Sequence, residues 1–219
     1  MVGRSIDVVV TRLVAGPASL RRSLAMLSND ERGRARRLRF ESDRHRFILR
    51  RARLRELLAA RLEVRPESIE LGYGPYGKPF LGLGLVRHGL RFNLSHCGEL
   101  AVFAFSRESE VGIDVEVVRP IGEADRIAAL MFSPEEQRTY QAMPPSERLA
   151  GFFKGWTRTE AAVKATGVGL ANPAGGVEVT LRSFVPAPGY LAALAWSSRA
   201  LSECGRSARV SAPLRIQAA

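Results

Sequence analysis

The chain has 219 residues, 46% of them apolar, and a formal net charge of +11. That length holds one sizeable domain or two small ones; no apolar run reaches the ~18 residues of a membrane span, MVGRSIDVVVTRL lacks a signal-peptide layout, and neither Cys97 nor Cys204 sits in a CxxC pair. The reading is a cytoplasmic protein without a membrane partner, whose first half docks something anionic: residues 1–100 carry +10 (20 basic minus 10 acidic) and residues 101–219 carry +1 (13 minus 12).

Residues 4–13 alternate weakly around VVV and predict a strand. Residues 28–62 predict helix, with Ser28 or Asn29 as its cap and Gly33 and FESD as places where it splits in two. Its apolar stripe includes Leu38, Phe47, Ile48, Leu54, Leu57, Leu58 and Leu62, and arginine fills the opposite, solvated face. VRPES (64–68) is a turn, and IELGYGPYGKPFL (69–81) is a loop or irregular ribbon. Residues 90–109 read as two short strands joined at SHCGE, and 111–118 as another. FSPEEQRTY (132–140) opens a helix with Ser133 at the N-cap and Pro134 at the first position. A long helix over 148–170 ends at Gly167, and strands follow at 176–183 and 189–198. The polar tail beyond about residue 200 carries no predicted element. GELAVFAFSR (98–107) echoes GYLAALAWSS (189–198), which hints at two similar α/β halves or at two apolar strands alike by chance.

Four clusters carry chemistry. In GIDVE, Asp114 and Glu116 are two apart on a strand and project from one face. Adjacent carboxylates repel unless a cation intervenes, so they fit Mg²⁺ or, more plainly, arginine partners. In WTRTEAAVK, Glu160 and Lys164 are at i and i+4, which suits a surface ion pair or a third carboxylate beside a phosphate-binding lysine. FNLSHCG places Asn93, Ser95 and His96 at a strand end; no G-x-S-x-G elbow accompanies them, so donors to a phosphate are the functional reading and a structural histidine the plain one. YGPYGKP offers backbone that a ligand can approach, with Lys78 as a charge, but not P-loop spacing. Two other classes stay open: a nucleic-acid binder built on the eleven arginines of residues 32–55, and a metal-dependent nuclease, although Val117 and Val118 stand where an E-x-K step needs lysine.

Taken in order, YGKP, FNLSH, GIDVE, FS-x-x-E and W-x-x-x-E-x-x-x-K-x-x-G-x-G-L resemble the 4'-phosphopantetheinyl transferase superfamily, in its two-lobed type named after the surfactin-synthesis activator. The resemblance runs from about residue 28 to 170, with a strand continuation to 198. It implies an α+β fold of two similar α/β lobes related by a pseudo-two-fold: residues 1–109 on the coenzyme A nucleotide side, and 110–219 holding metal, phosphate and carrier protein. It implies a monomer that moves the 4'-phosphopantetheine arm of coenzyme A, its co-substrate, to a serine of an acidic apo carrier protein, leaving adenosine 3',5'-bisphosphate, with no nucleic-acid partner. By position, it makes Asp114, Glu116 and Glu160 ligands of Mg²⁺ or Mn²⁺, and Glu160, Lys164 and His96 catalytic. Glu160, directly or through a metal-bound water, would take the serine proton. Arg34, which aligns with a basic residue that in the family meets the 3'-phosphate, would contact coenzyme A, as would Arg46, Gly77, Lys78, Asn93, Ser95 and His96 along with Asp114, Glu160 and Lys164. The carrier would dock at the cleft edge, including residues 119–145. The chain departs from the pattern in having Thr159 for a lysine before the glutamate, Cys97 for a smaller residue, and Glu31 where some members carry a base that meets the 3'-phosphate.

Overall fold

The computed structural model describes residues 6–167, 179–197 and 214–218. In chain order the elements are β1 (Ile6–Arg12), α1 (Pro17–Met26), α2 (Asn29–Arg37), α3 (Glu41–Leu62), a 3₁₀ turn (Pro66–Ser68), β2 (Leu71–Tyr73), β3 (Pro79–Leu81) and α4 (Leu83–Val86). There follow β4 (Arg91–Cys97), β5 (Leu100–Ser106), β6 (Glu110–Val117), α5 (Ala124–Met131), α6 (Pro134–Gln141), α7 (Pro145–Thr166), β7 (Val179–Phe184), β8 (Tyr190–Ser197) and β9 (Leu214–Ala218). The fold class is α+β, as expected. The chain forms two compact units, one of residues 11–89 and 99–101, the other drawn from 1–10, 90–98 and 102–219. This division does not follow a single break at residue 109, because β4 and most of β5 pack with the later residues.

In the first of these units, α2 starts on a capping box: Ser28 Oγ accepts from Glu31 N–H, and Glu31 Oε2 accepts from Ser28 N–H. The helix breaks at Leu38–Phe40 rather than at Gly33, which lies inside α2. Arginines of α3 correct the expectation of a solvated face, since Arg51 and Arg55 are 6% and 2% exposed. Arg55 donates to Glu31 Oε2 at 2.7 Å and to the carbonyls of Pro66 and Ile69, tying α2, α3 and the 3₁₀ turn together. Arg51 Nε stands 3.5 Å from Glu31 Oε1. Glu31 is therefore a buried brace, not a ligand residue of changed sign. The ribbon of residues 69–81 is a short antiparallel pair, β2 with β3.

The other unit holds two sheets. One has the order β4-β5-β1-β9, with β1 and β9 parallel. The strand β9 lies in the tail that was expected to carry no element. The second sheet has the order β6-β8-β7, antiparallel throughout. The echoed segments are β5 and β8, each entered through a glycine at positive φ, Gly98 (56°) and Gly189 (79°). Helix α7 lies on β6 and β8 through small side chains: Ala161 and Ala165 meet Ala193 and Ala195. Gly112 brings the helix closer still. A Cβ there would stand 2.1 Å from the Ala161 carbonyl oxygen and 2.3 Å from the Ala165 nitrogen. The other end of α7 is held by aromatic packing of Phe132, Tyr140, Phe152 and Phe153. The helix ends on Gly167 at φ 71°, a left-handed cap that costs glycine nothing. It starts at Pro145, three residues before the expected start. Helices α1, α4 and α5 had no sequence expectation. Gly169 and Leu170, the end of the long motif, and Cys204 lie outside the described residues.

Candidate active site

GIDVE forms the middle of β6. Ile113 and Val115 are buried, and Asp114 between them is 3% exposed. A strand places Asp114 and Glu116 on one face. Helix α7 crosses that strand and brings Glu160 and Lys164, one turn apart, to it. Lys164 Nζ donates to Asp114 Oδ1 at 2.6 Å and to Ser95 Oγ at 3.3 Å, and lies 4.0 Å from Glu160 Oε2. Ser95 in turn donates to Asp114 Oδ1 at 2.8 Å. Four residues from three separate stretches of the chain, β4, β6 and α7, thus share one polar cluster.

Beneath them, Asn93 (3% exposed) accepts the Ile113 N–H on its Oδ1 at 2.9 Å. This bond joins β4 to β6 one residue before Asp114. Expected as a ligand contact, Asn93 instead has its carboxamide oxygen committed to the backbone that carries Asp114. His96, next to Ser95, is exposed, and neighbours on a strand face opposite ways.

The acids feel one another. Burial first pushes the Glu160 carboxyl above its ordinary value, Lys164 opposes the rise, and the charges of Asp114 and Glu116 add to it. Cys97 hydrogen-bonds with Glu116, and its thiol is also raised, by burial before any other cause. Among the described residues no three His, Cys, Asp or Glu side chains stand close enough to form a ready metal cage. The donor set still fits a hard divalent cation. It is carboxylate oxygen, and Asp114 Oδ2 is buried without a hydrogen-bond partner.

Arg34, Arg46, Gly77 and Lys78, expected on the nucleotide side, belong to the other unit. Arg34 pairs with Asp30 at 3.2 Å and lays its guanidinium 4.1 Å from the centre of the Tyr73 ring. Arg46 pairs with Asp43 at 3.3 Å. Gly77 takes φ 76° in the turn between β2 and β3, which is closed by Gly74 N–H bonding to Lys78 O. Sequence reasoning missed Arg50, Arg51 and Tyr73. Arg50 Nη1, Arg51 Nη1 and the Tyr73 hydroxyl are buried without hydrogen-bond partners. Burial, then the Arg51 charge, brings Arg50 down to about 10, with Tyr73 opposing. Unmatched buried donors of this kind suit a multivalent anion. The only signal in the sequence was the density of arginine, which was read as a solvated face.

Comparison with known proteins agrees with the geometry. Residues 110–202 match the family model described as the 4'-phosphopantetheinyl transferase superfamily, and residues 15–108 match 4'-phosphopantetheinyl transferase, N-terminal. The chain is 38% identical over 173 residues to 4'-phosphopantetheinyl transferase HetI of a Nostoc species, covering 79% of this chain and 72% of that one. It is 32% identical over 161 residues to a 4'-phosphopantetheinyl transferase of Bacillus subtilis, covering 74% and 69%. With AcpT of Salmonella typhimurium it shares 41% identity over 113 residues, 52% of this chain and 56% of the relative. Matches to both halves of the chain, and a relative aligned over most of its own length, mean that the chain belongs to the 4'-phosphopantetheinyl transferase superfamily and is a transferase enzyme of that type.

Proposed function

We propose that the chain transfers the 4'-phosphopantetheine arm of coenzyme A to a serine of an acidic apo carrier protein, using Mg²⁺ or Mn²⁺, and releases adenosine 3',5'-bisphosphate. The single observation that carries the metal and phosphate reading is the buried cluster at Asp114: one carboxylate oxygen without a partner, the other held by Lys164, and two more acids in the same field. Asp114, Glu116 and Glu160 would hold the cation, which supplies charge neutralisation at the pyrophosphate.

The chain's own residues do the rest. The serine oxygen forms a bond to the phosphorus bearing the pantetheine arm, and the bond from that phosphorus to the bridging oxygen breaks. Adenosine 3',5'-bisphosphate leaves with that oxygen. Glu160, half-buried at the cluster, is the base that takes the serine proton, directly or through a water. Lys164, freed from Asp114, meets the charge on the phosphoryl oxygens. Ser95 and His96 donate to the phosphates. Asn93 acts by fixing Asp114. Arg34, Arg46, Gly77 and Lys78 receive the nucleotide end, with Arg50, Arg51 and Tyr73 adding donors for the 3'-phosphate.

On this reading residues 1–109 form the nucleotide-side lobe and 110–219 the metal, phosphate and carrier lobe; the two family matches, 15–108 and 110–202, support that assignment. The carrier docks on residues 119–145, where α5 exposes Leu130 (77%). The enzyme works as a cytoplasmic monomer; among the described residues no helix is long and apolar enough to cross a membrane. The nucleic-acid and nuclease readings draw no support from relatives that bear the transferase name.

The test is incubation with apo carrier proteins and coenzyme A, read as the mass gain of the pantetheine arm. Asp114→Ala and Glu160→Ala should abolish the gain while circular dichroism stays unchanged. Normal transfer by either variant would sink the assignment.

A further inference from the structure

The ammonium of Lys164 sits where positive charge is most needed. Asp114 has a side chain only 5% exposed, and a buried carboxylate requires a counter-charge. Lys164 supplies it at 2.6 Å on Oδ1 while reaching to within 4.0 Å of Glu160. A divalent cation held by the same acids would stand beside that ammonium, and the two positive charges would repel. Lys164 is also able to leave. Its side chain is 29% exposed, two residues before the helix ends at Thr166, on a flexible four-carbon stem.

We propose that Lys164 is a built-in stand-in cation: it occupies Asp114 in the free enzyme, weakens divalent-cation binding there, and is drawn off by the pyrophosphate of the incoming substrate. This rests on the carboxylate reading above and adds an order to it. Cation and coenzyme A bind in mutual support, because a phosphate that takes Lys164 away vacates the carboxylate. By linkage each ligand strengthens the other by the same factor. The arrangement gives Asp114 a counter-charge on Oδ1 while no substrate is present and leaves Oδ2 open to a cation.

The test is Mn²⁺ titration followed by electron paramagnetic resonance of the free ion, with and without coenzyme A and corrected for Mn²⁺ bound by coenzyme A alone. The proteins are the natural chain, Lys164→Met, Lys164→Gln and Asp114→Asn. Without coenzyme A, both Lys164 variants should bind Mn²⁺ about ten-fold tighter than the natural chain, the order of one charge-assisted contact. The gain in Mn²⁺ affinity on adding coenzyme A should shrink in both. Equal or weaker binding by the Lys164 variants, or no binding by any form without coenzyme A, overturns the proposal alone, provided Asp114→Asn loses the Mn²⁺ that the natural chain binds with coenzyme A. If Asp114→Asn binds Mn²⁺ as the natural chain does, the carboxylate reading falls and this proposal with it.

Discussion

Replacing Gly112 by alanine tests how finely the helix must sit on the strand. The new methyl would lie 2.1 Å from Ala161 O, 2.3 Å from Ala165 N and 2.8 Å from Lys164 C, all backbone atoms. Ordinary contact begins at 3.4 Å, so the helix must retreat by 1.3 Å (3.4 minus 2.1) or the strand must bend by as much. Helix backbone does not give way as a side-chain tip does. Overpacking of this kind costs about 1–3 kcal/mol. The same retreat carries Glu160 and Lys164, both on α7, about 1.3 Å from the β6 carboxylates beside which they act. A displacement of about 1 Å at reacting groups costs on the order of 100-fold in rate. Gly112→Ala should therefore stay folded, melt several degrees lower, and transfer the pantetheine arm to a carrier roughly 100-fold more slowly. The assays are thermal unfolding and time-resolved mass gain of the carrier. Unchanged melting together with unchanged transfer would refute the claim that this glycine sets the position of α7.

Four further outcomes follow from the same structure. Asn93→Ala leaves the buried Ile113 N–H without an acceptor and should cost about 1–3 kcal/mol in urea unfolding, with transfer slowed as Asp114 loosens; unchanged stability would show the bond to be dispensable. Glu31→Ala leaves the Arg51 and Arg55 guanidiniums in the interior without their acid and should destabilise by about 3–5 kcal/mol, whereas a stable variant would contradict the brace. Arg34→Ala should raise the KM for coenzyme A about ten-fold while hardly altering that for coenzyme A lacking its 3'-phosphate, the loss expected of one charged contact; equal effects on both would exclude the 3'-phosphate as its partner. Tyr140 donates to Asp125 at 2.6 Å, and burial first, then that carboxylate, lifts its phenol to about 12. A phenol raised in the folded state contributes stability that is whole below its unfolded value of 10 and is lost as the pH climbs through about 12. Tyr140→Phe should thus cost about 1 kcal/mol at neutral pH and narrow that difference in alkali, as seen by unfolding at several pH values; a constant difference would exclude the linkage.

Local features were legible in the sequence because their causes are local. Ser133 and Pro134 mark the start of α6, and Gly167 marks the end of α7, since capping and left-handed backbone select those residues directly. The shared face of Asp114 and Glu116 follows from strand alternation alone. Contacts across long separations had no such signature. Lys164 reaches Asp114 over fifty positions, and spacing within α7 predicts only its pairing with Glu160. Glu31 stood out only as an acid where some relatives carry a base, because the two arginines that it braces come from the next helix. The arginine stripe of α3 was misjudged for a related reason: a guanidinium's place inside or outside depends on acids and carbonyls supplied elsewhere. Helix α5 went unseen because its eight residues, ADRIAALM, carry too short a pattern to separate from loop.

The parallel pairing of β1 with β9 has a consequence for how the molecule comes together. Ile6 is partnered with Leu214, a separation of 208 positions (214 minus 6). Closing so large a loop is among the slowest steps available to a chain, so this seam is a late event in folding. Until it closes, β1 presents an open edge carrying Val8, Val9 and Val10, a ready template for pairing with another chain. Loss of residues 214–218 would make that edge permanent, and the first symptom would be aggregation during refolding rather than a defect in chemistry.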